Sequence, residues 1–204
     1  MKRLFVLVVL ILAGIPARAG APAILVFGDS ISAGYGLAHV EEGWVGLLRG
    51  KLKGQGYVTQ VINASVSGET TAGGLARLPR ALALHHPQVV ILELGGNDGL
   101  RALPIAEMRA NLTKMIDLAT ASGAKVVLLG MRIPPNYGPE YTDMFFAAFA
   151  DVAHAKKVSW VPFLLNDIAL SPDLMQADGV HPNALGQPKL LGNVWPVLQP
   201  LLTR

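Results

Sequence analysis

The chain has 204 residues, 51% of them hydrophobic, enough for one sizeable core. It has no cysteine, which excludes a disulfide framework, a thiol nucleophile and a cysteine-ligated metal. Three of its 17 basic residues (Lys2, Arg3, Arg18) lie before Ala19 and account for the formal charge of +3. Without them basic and acidic residues are equal at 14, and no basic run remains to grip nucleic acid.

The first 19 residues read as a secretory signal peptide: Lys2 and Arg3, the apolar stretch Leu4 to Ile15, then Ala17-Arg18-Ala19 as a small-x-small cleavage site. The apolar stretch is shorter than the roughly 20 residues of a spanning helix, so the expectation is cleavage after Ala19 and no membrane anchor afterwards. This predicts a periplasmic or secreted domain over residues 20–204.

From there strand-like and helix-like patterns alternate without a repeat. The apolar run Ala23 to Phe27 predicts a first strand, broken by Gly28-Asp29-Ser30. A helix is expected over Glu42 to Lys53 and a second strand over Tyr57 to Asn63, followed by Ser65-Val66-Ser67-Gly68. Next come a helix over Thr71 to Leu84 and a strand over Gln88 to Leu94, then Gly95-Gly96-Asn97-Asp98. Pro104 and Gly123 bracket a helix from Pro104 to Ser122. A strand over Lys125 to Gly130, the segment Met131 to Tyr137, a helix over Pro139 to Lys156 and a strand over Val158 to Pro162 follow. Asp178-Gly179-Val180-His181 then precedes a last helix from about Ala184 to Leu202.

Runs such as Val89-Val90-Ile91-Leu92 are apolar on both faces, as buried parallel strands are. Repeated βα units with right-handed crossovers predict an α/β fold: a three-layer α/β/α sandwich around a parallel sheet. In such folds ligands bind beyond the carboxyl ends of the strands, and every polar segment above falls on that rim.

The rim carries the parts of nucleophilic catalysis. A neutral serine needs a base within hydrogen-bond reach and donors for the oxyanion formed when it attacks a carbonyl. Ser30 offers a hydroxyl and its own N–H. His181 is the best base of five histidines, because His39, His85, His86 and His154 have no carboxylate motif at a strand end. Asp178 is placed to orient it. Gly68 and Asn97 are candidate oxyanion donors. Each residue also has a plainer use: Ser30 as a helix cap, Gly68 as a turn glycine, Asn97 as a turn residue. Asp178 and His181 lack the companions of a metal site. Ser32, Ser65 and Ser67 are expected to satisfy backbone groups in loops. Glu93 interrupts an apolar strand, where an unpaired carboxylate is costly, and is expected to have a hydrogen-bonding partner and a structural role.

Four blocks in order, Gly28 to Ser32, Asn63 to Thr70, Leu94 to Arg101 and Asp178 to Asn183, resemble those of the GDSL, or SGNH, hydrolase family. Within it the likeness is to bacterial periplasmic enzymes of thioesterase, lysophospholipase and arylesterase type. Ile31 stands where the family name has leucine. The resemblance implies a five-stranded, flavodoxin-like sheet and no cofactor. It implies Ser30 as nucleophile, His181 as base, Asp178 as its partner, and an oxyanion hole from Ser30, Gly68 and Asn97. By the same likeness Leu100 in the loop Gly99 to Pro104, and Ile133 and Pro134 in the segment Ile133 to Tyr137, wall an acyl groove. The implied substrates are small acyl esters, thioesters or lysophospholipids, and a monomer is compatible with the near-neutral mature charge. The alternatives are a carbohydrate O-acetylesterase on the same scaffold and, from another class, a flavodoxin-like binding module using the first loop for a phosphate.

Overall fold

A computed structural model describes residues 22–203; the expected signal peptide lies outside the described residues. Five parallel strands form one sheet: β1 (Ala23–Gly28), β2 (Gln60–Asn63), β3 (Val89–Glu93), β4 (Lys125–Leu129) and β5 (Ser159–Val161), in the order β2-β1-β3-β4-β5. Among the described residues seven α-helices accompany them: α1 (Ser30–Ala33), α2 (Trp44–Gly54), α3 (Thr71–His85), α4 (Gly96–Leu100), α5 (Ile105–Ala121), α6 (Pro139–Lys156) and α7 (Gln187–Leu198). Helix α5 packs against α3 and α6, while α2 packs against α7, which completes the expected three-layer α/β/α sandwich.

The central strands are apolar on both sides because helices cover both faces. Every residue of β1 and β3 is buried. Strand β2 begins three residues later than its apolar pattern suggested. Its partner β1 starts at Ala23, opposite Gln60, and Tyr57 donates its N–H to Leu52 at the end of α2. Helix α2 likewise starts at Trp44, because a 3₁₀ turn over Val40–Glu42 and an extended Gly43 precede it. The last helix is delayed to Gln187 by Asn183, whose side-chain oxygen accepts the N–H groups of Leu185 and Gly186.

The strand order matters most for function. The chain moves from β1 outward to β2, then returns past β1 to β3 and continues the other way, so the crevice between β1 and β3 is the topological switch point. Gly28 and Glu93 face each other there at the strand ends. Helices α1 and α4, too short to show as periodic patterns, start on either side of that crevice.

Candidate active site

The first side of the site is built by the turn from β1 into α1. Asp29 caps the helix, its Oδ1 accepting the N–H of Ile31 at 3.1 Å, and this frees Ser30 from the capping role. Ser30 occupies the first helical position. Among the described residues neither its N–H nor that of Gly68 donates to a protein acceptor. Gly68 sits at φ 78°, a left-handed conformation that glycine adopts without steric cost.

The second side comes from the segment after β5. Asp178 Oδ1 accepts the N–H groups of Val180 and His181 at 2.9 and 3.0 Å, a tight turn that brings its other oxygen within 2.7 Å of His181 Nδ1. His181 Nε2 lies 2.8 Å from Ser30 Oγ. Burial pushes the Asp178 carboxyl up, but the His181 and Val180 hydrogen bonds and the facing imidazole outweigh it and hold it down at about 2. An ionised carboxylate only accepts, so Nδ1 carries the proton and Nε2 is left to accept from the serine hydroxyl. The turn is anchored by Gln176, whose N–H donates to His181 O at 2.8 Å and whose side-chain amide donates to Tyr35 O at 2.8 Å. The Tyr35 ring lies 4.7 Å from the imidazole and screens one face of it.

The third side is α4. Asn97 donates one amide hydrogen to Asp29 Oδ2 at 3.1 Å, leaving the second free. Asp98 accepts the N–H and hydroxyl of Thr71 at 2.8 and 2.6 Å, and Arg101 donates to Gly68 O at 2.9 Å. These bonds tie the loops after β2 and β3 together, so Gly68 and Asn97 are held by one network. Tyr137 donates to Leu100 O at 2.7 Å and fastens the segment after β4 to the same helix.

A cavity of about 610 Å³ joins these parts and is lined by Ser30, Gly68, Asn97, Leu100, Ile133, Pro134 and His181. The expected nucleophile, base, oxyanion donors and acyl-groove residues therefore line one cavity, and Asp178 stands directly behind His181.

Glu93 has the hydrogen-bonding role expected of it, and its partners could not be read from the chain. Its Oε2 accepts the N–H of Asp29 at 3.1 Å and the hydroxyl of Ser32 at 2.8 Å, beneath the Ser30 turn. Ser32 is thus not a loop serine serving the backbone, as expected, but a buried residue of α1 bound to a carboxyl. Gly28 is required at this point, since a Cβ there would come within 2.5 Å of Glu93 Oε2. Complete burial, reinforced by the neighbouring Asp29 carboxyl, pushes Glu93 well above the usual carboxylate range. Burial also pushes Asp29 up, to about 6, against the bond from Ile31 N–H, the nearby His181 and the bond from Asn97.

Glutamine keeps the acceptor oxygen that Glu93 presents to Asp29 N–H and the Ser32 hydroxyl. Glu93→Gln is therefore expected to unfold within about 1 kcal/mol of the parent at pH 7. Glu93→Ala leaves the Ser32 hydroxyl and Asp29 N–H without an acceptor beside a cavity, at a cost of about 3 kcal/mol. Urea denaturation checks both, and equal stabilities for the two variants would show that the acceptor oxygen does not hold the turn.

A doubly wound α/β sheet with a serine, a histidine and an aspartate hydrogen-bonded in series at its switch point defines a hydrolase of the serine type. The model of the GDSL-like lipase/acylhydrolase family matches residues 26–188. The chain belongs to that family and is an acyl hydrolase. It is 51% identical over 185 residues to esterase TesA of Pseudomonas aeruginosa, covering 91% of this chain and 92% of that protein. It is 39% identical over 184 residues to thioesterase 1/protease 1/lysophospholipase L1 of Escherichia coli, covering 90% of this chain and 86% of that one. The psychrotrophic esterase EstA from Pseudoalteromonas sp., in a structure inhibited by monoethylphosphonate, superposes with a TM-score of 0.83 at 41% identity, over 87% of this chain and 97% of that chain.

Proposed function

We propose that the chain hydrolyses carboxylic esters and thioesters of fatty acids through an acyl-enzyme on Ser30. The observation that carries this reading is the series Ser30, His181, Asp178, with spacings of 2.8 and 2.7 Å, opening on the cavity. Ser30 Oγ attacks the acyl carbonyl carbon while its proton passes to His181 Nε2, and Asp178 stabilises the imidazolium. The oxyanion is met by the N–H groups of Ser30 and Gly68 and by the free amide hydrogen of Asn97. Collapse expels the alcohol or thiol with the proton from His181. Water then attacks the acyl-enzyme by the same route, and the fatty acid leaves with Ser30 restored. Substrate, water and side chains supply every atom, so the cycle requires no cofactor.

Leu100, Ile133 and Pro134 form the acyl wall in this reading. A cavity of about 610 Å³ with such a wall suits a fatty chain better than the acetyl group of an O-acetylesterase substrate. The relatives named esterase and thioesterase/lysophospholipase support both ester and thioester substrates. The site is complete within one chain, which suits a monomer. We further propose that residues 1–19 direct export and are removed after Ala19, leaving the domain in the periplasm or outside the cell. Among the described residues no helix is long and apolar enough to cross a membrane.

The test is covalent. A fluorophosphonate with an alkyl chain is expected to add once per molecule, on the peptide carrying Ser30, and to stop ester hydrolysis in proportion. A label found on another serine, or full inhibition without any label, would refute the assignment of Ser30.

A further inference from the structure

Two opposite charges line the same cavity as Ser30 and take no part in the chemistry above. Arg132, from the segment after β4, and Asp143, from the second turn of α6, are both exposed and both border it. Among the described residues neither is in an ion pair, with the other or with anything else, and neither donates or accepts a side-chain hydrogen bond. Arg132 is nevertheless held in place: its guanidinium lies 3.5 Å from the centroid of the Phe146 ring and 5.8 Å from that of Phe163. Stacking uses the flat face of a guanidinium and leaves its edge donors for a ligand, the arrangement that suits a phosphate.

We propose that Arg132 and Asp143 are the subsite for a zwitterionic glycerophospholipid head group, Arg132 binding the phosphate and Asp143 the ammonium. The inference rests on the reading of Ser30 as nucleophile. It assigns to two side chains the recognition of lysophospholipids, one of the substrate types that reading allows. In a lysophospholipid a three-carbon glycerol unit separates the ester from the phosphate, so both fit within one cavity of about 610 Å³. In an acyl-coenzyme A the long pantetheine arm carries the phosphates beyond it. A phosphate alone would leave the Asp143 carboxylate without a cation in the same cavity, whereas an ammonium on the head group pairs it.

The experiment compares one dodecanoyl chain on glycerol, on glycerol phosphate, on glycerophosphoethanolamine and on coenzyme A, each below its micelle concentration. Arg132→Gln is expected to lower kcat/KM about tenfold or more on the two phosphate esters and to change the glycerol ester and the coenzyme A thioester by less than about twofold. Asp143→Asn is expected to lower only the ethanolamine substrate. Arg132→Lys, which keeps the charge without the planar fork, is expected to recover part of the loss. Equal losses on all four substrates, or none on any, would overturn the subsite while leaving the nucleophile in place. A parent enzyme inactive on all four would instead overturn the acyl-ester reading beneath it.

Discussion

Replacing Ser30 by alanine is expected to lower turnover of p-nitrophenyl octanoate by about 10⁴-fold or more and to abolish the acyl-enzyme. Ser32, in the same helical turn, does not substitute, because it is buried and committed to Glu93 at 2.8 Å. The fold should survive. Asp29, not Ser30, caps α1, and the lost bond to His181 costs about 1 kcal/mol of stability. His181→Ala should cost a similar factor, and the double variant little more than either alone, since the two residues act as one unit. Steady-state rates with the folded state checked by circular dichroism decide the matter. A folded Ser30→Ala protein with near-parental turnover would end the proposal.

Asn97→Ala is expected to reduce kcat by about 10²- to 10³-fold with little change in KM, because an oxyanion donor acts on charge that exists only in the transition state. Asp29 makes this residue more than a loop amide. By accepting one hydrogen at 3.1 Å it fixes the side-chain plane and aims the other, so the donor is oriented before substrate arrives. Asn97→Asp keeps the shape, removes the donor and adds a carboxylate beside Asp29, and should be at least as impaired. A kcat unchanged in Asn97→Ala would remove the residue from the oxyanion hole.

The residues of the candidate site were legible because each sits in a short segment whose local chemistry is unusual. Gly28-Asp29-Ser30 follows a fully apolar strand, two glycines precede Asn97, and Asp178 stands three residues before His181. Their positioning network was not. Glu93 stood out as a carboxylate in an apolar run, but its partners are more than sixty positions away, Asp29 and Ser32, and no local pattern encodes such a distance. The same holds for Thr71 with Asp98 and for Arg101 with Gly68, which join loops that follow different strands. Helices α1 and α4 escaped notice because periodicity needs several turns and each has about one.

What the sequence determined by itself was the set of βα units, and with it the sheet, the rim and the candidate catalytic residues on the rim. Hydrophobic periodicity and turn chemistry are local properties that act within about a dozen residues. The order β2-β1-β3-β4-β5, the crevice between β1 and β3, the buried Asp29–Glu93 pair and the two free charges in one cavity were decided only by the tertiary structure. Each depends on contacts between distant segments, which are set by the global packing of helices on the sheet and by the need to pair polar groups once water is excluded.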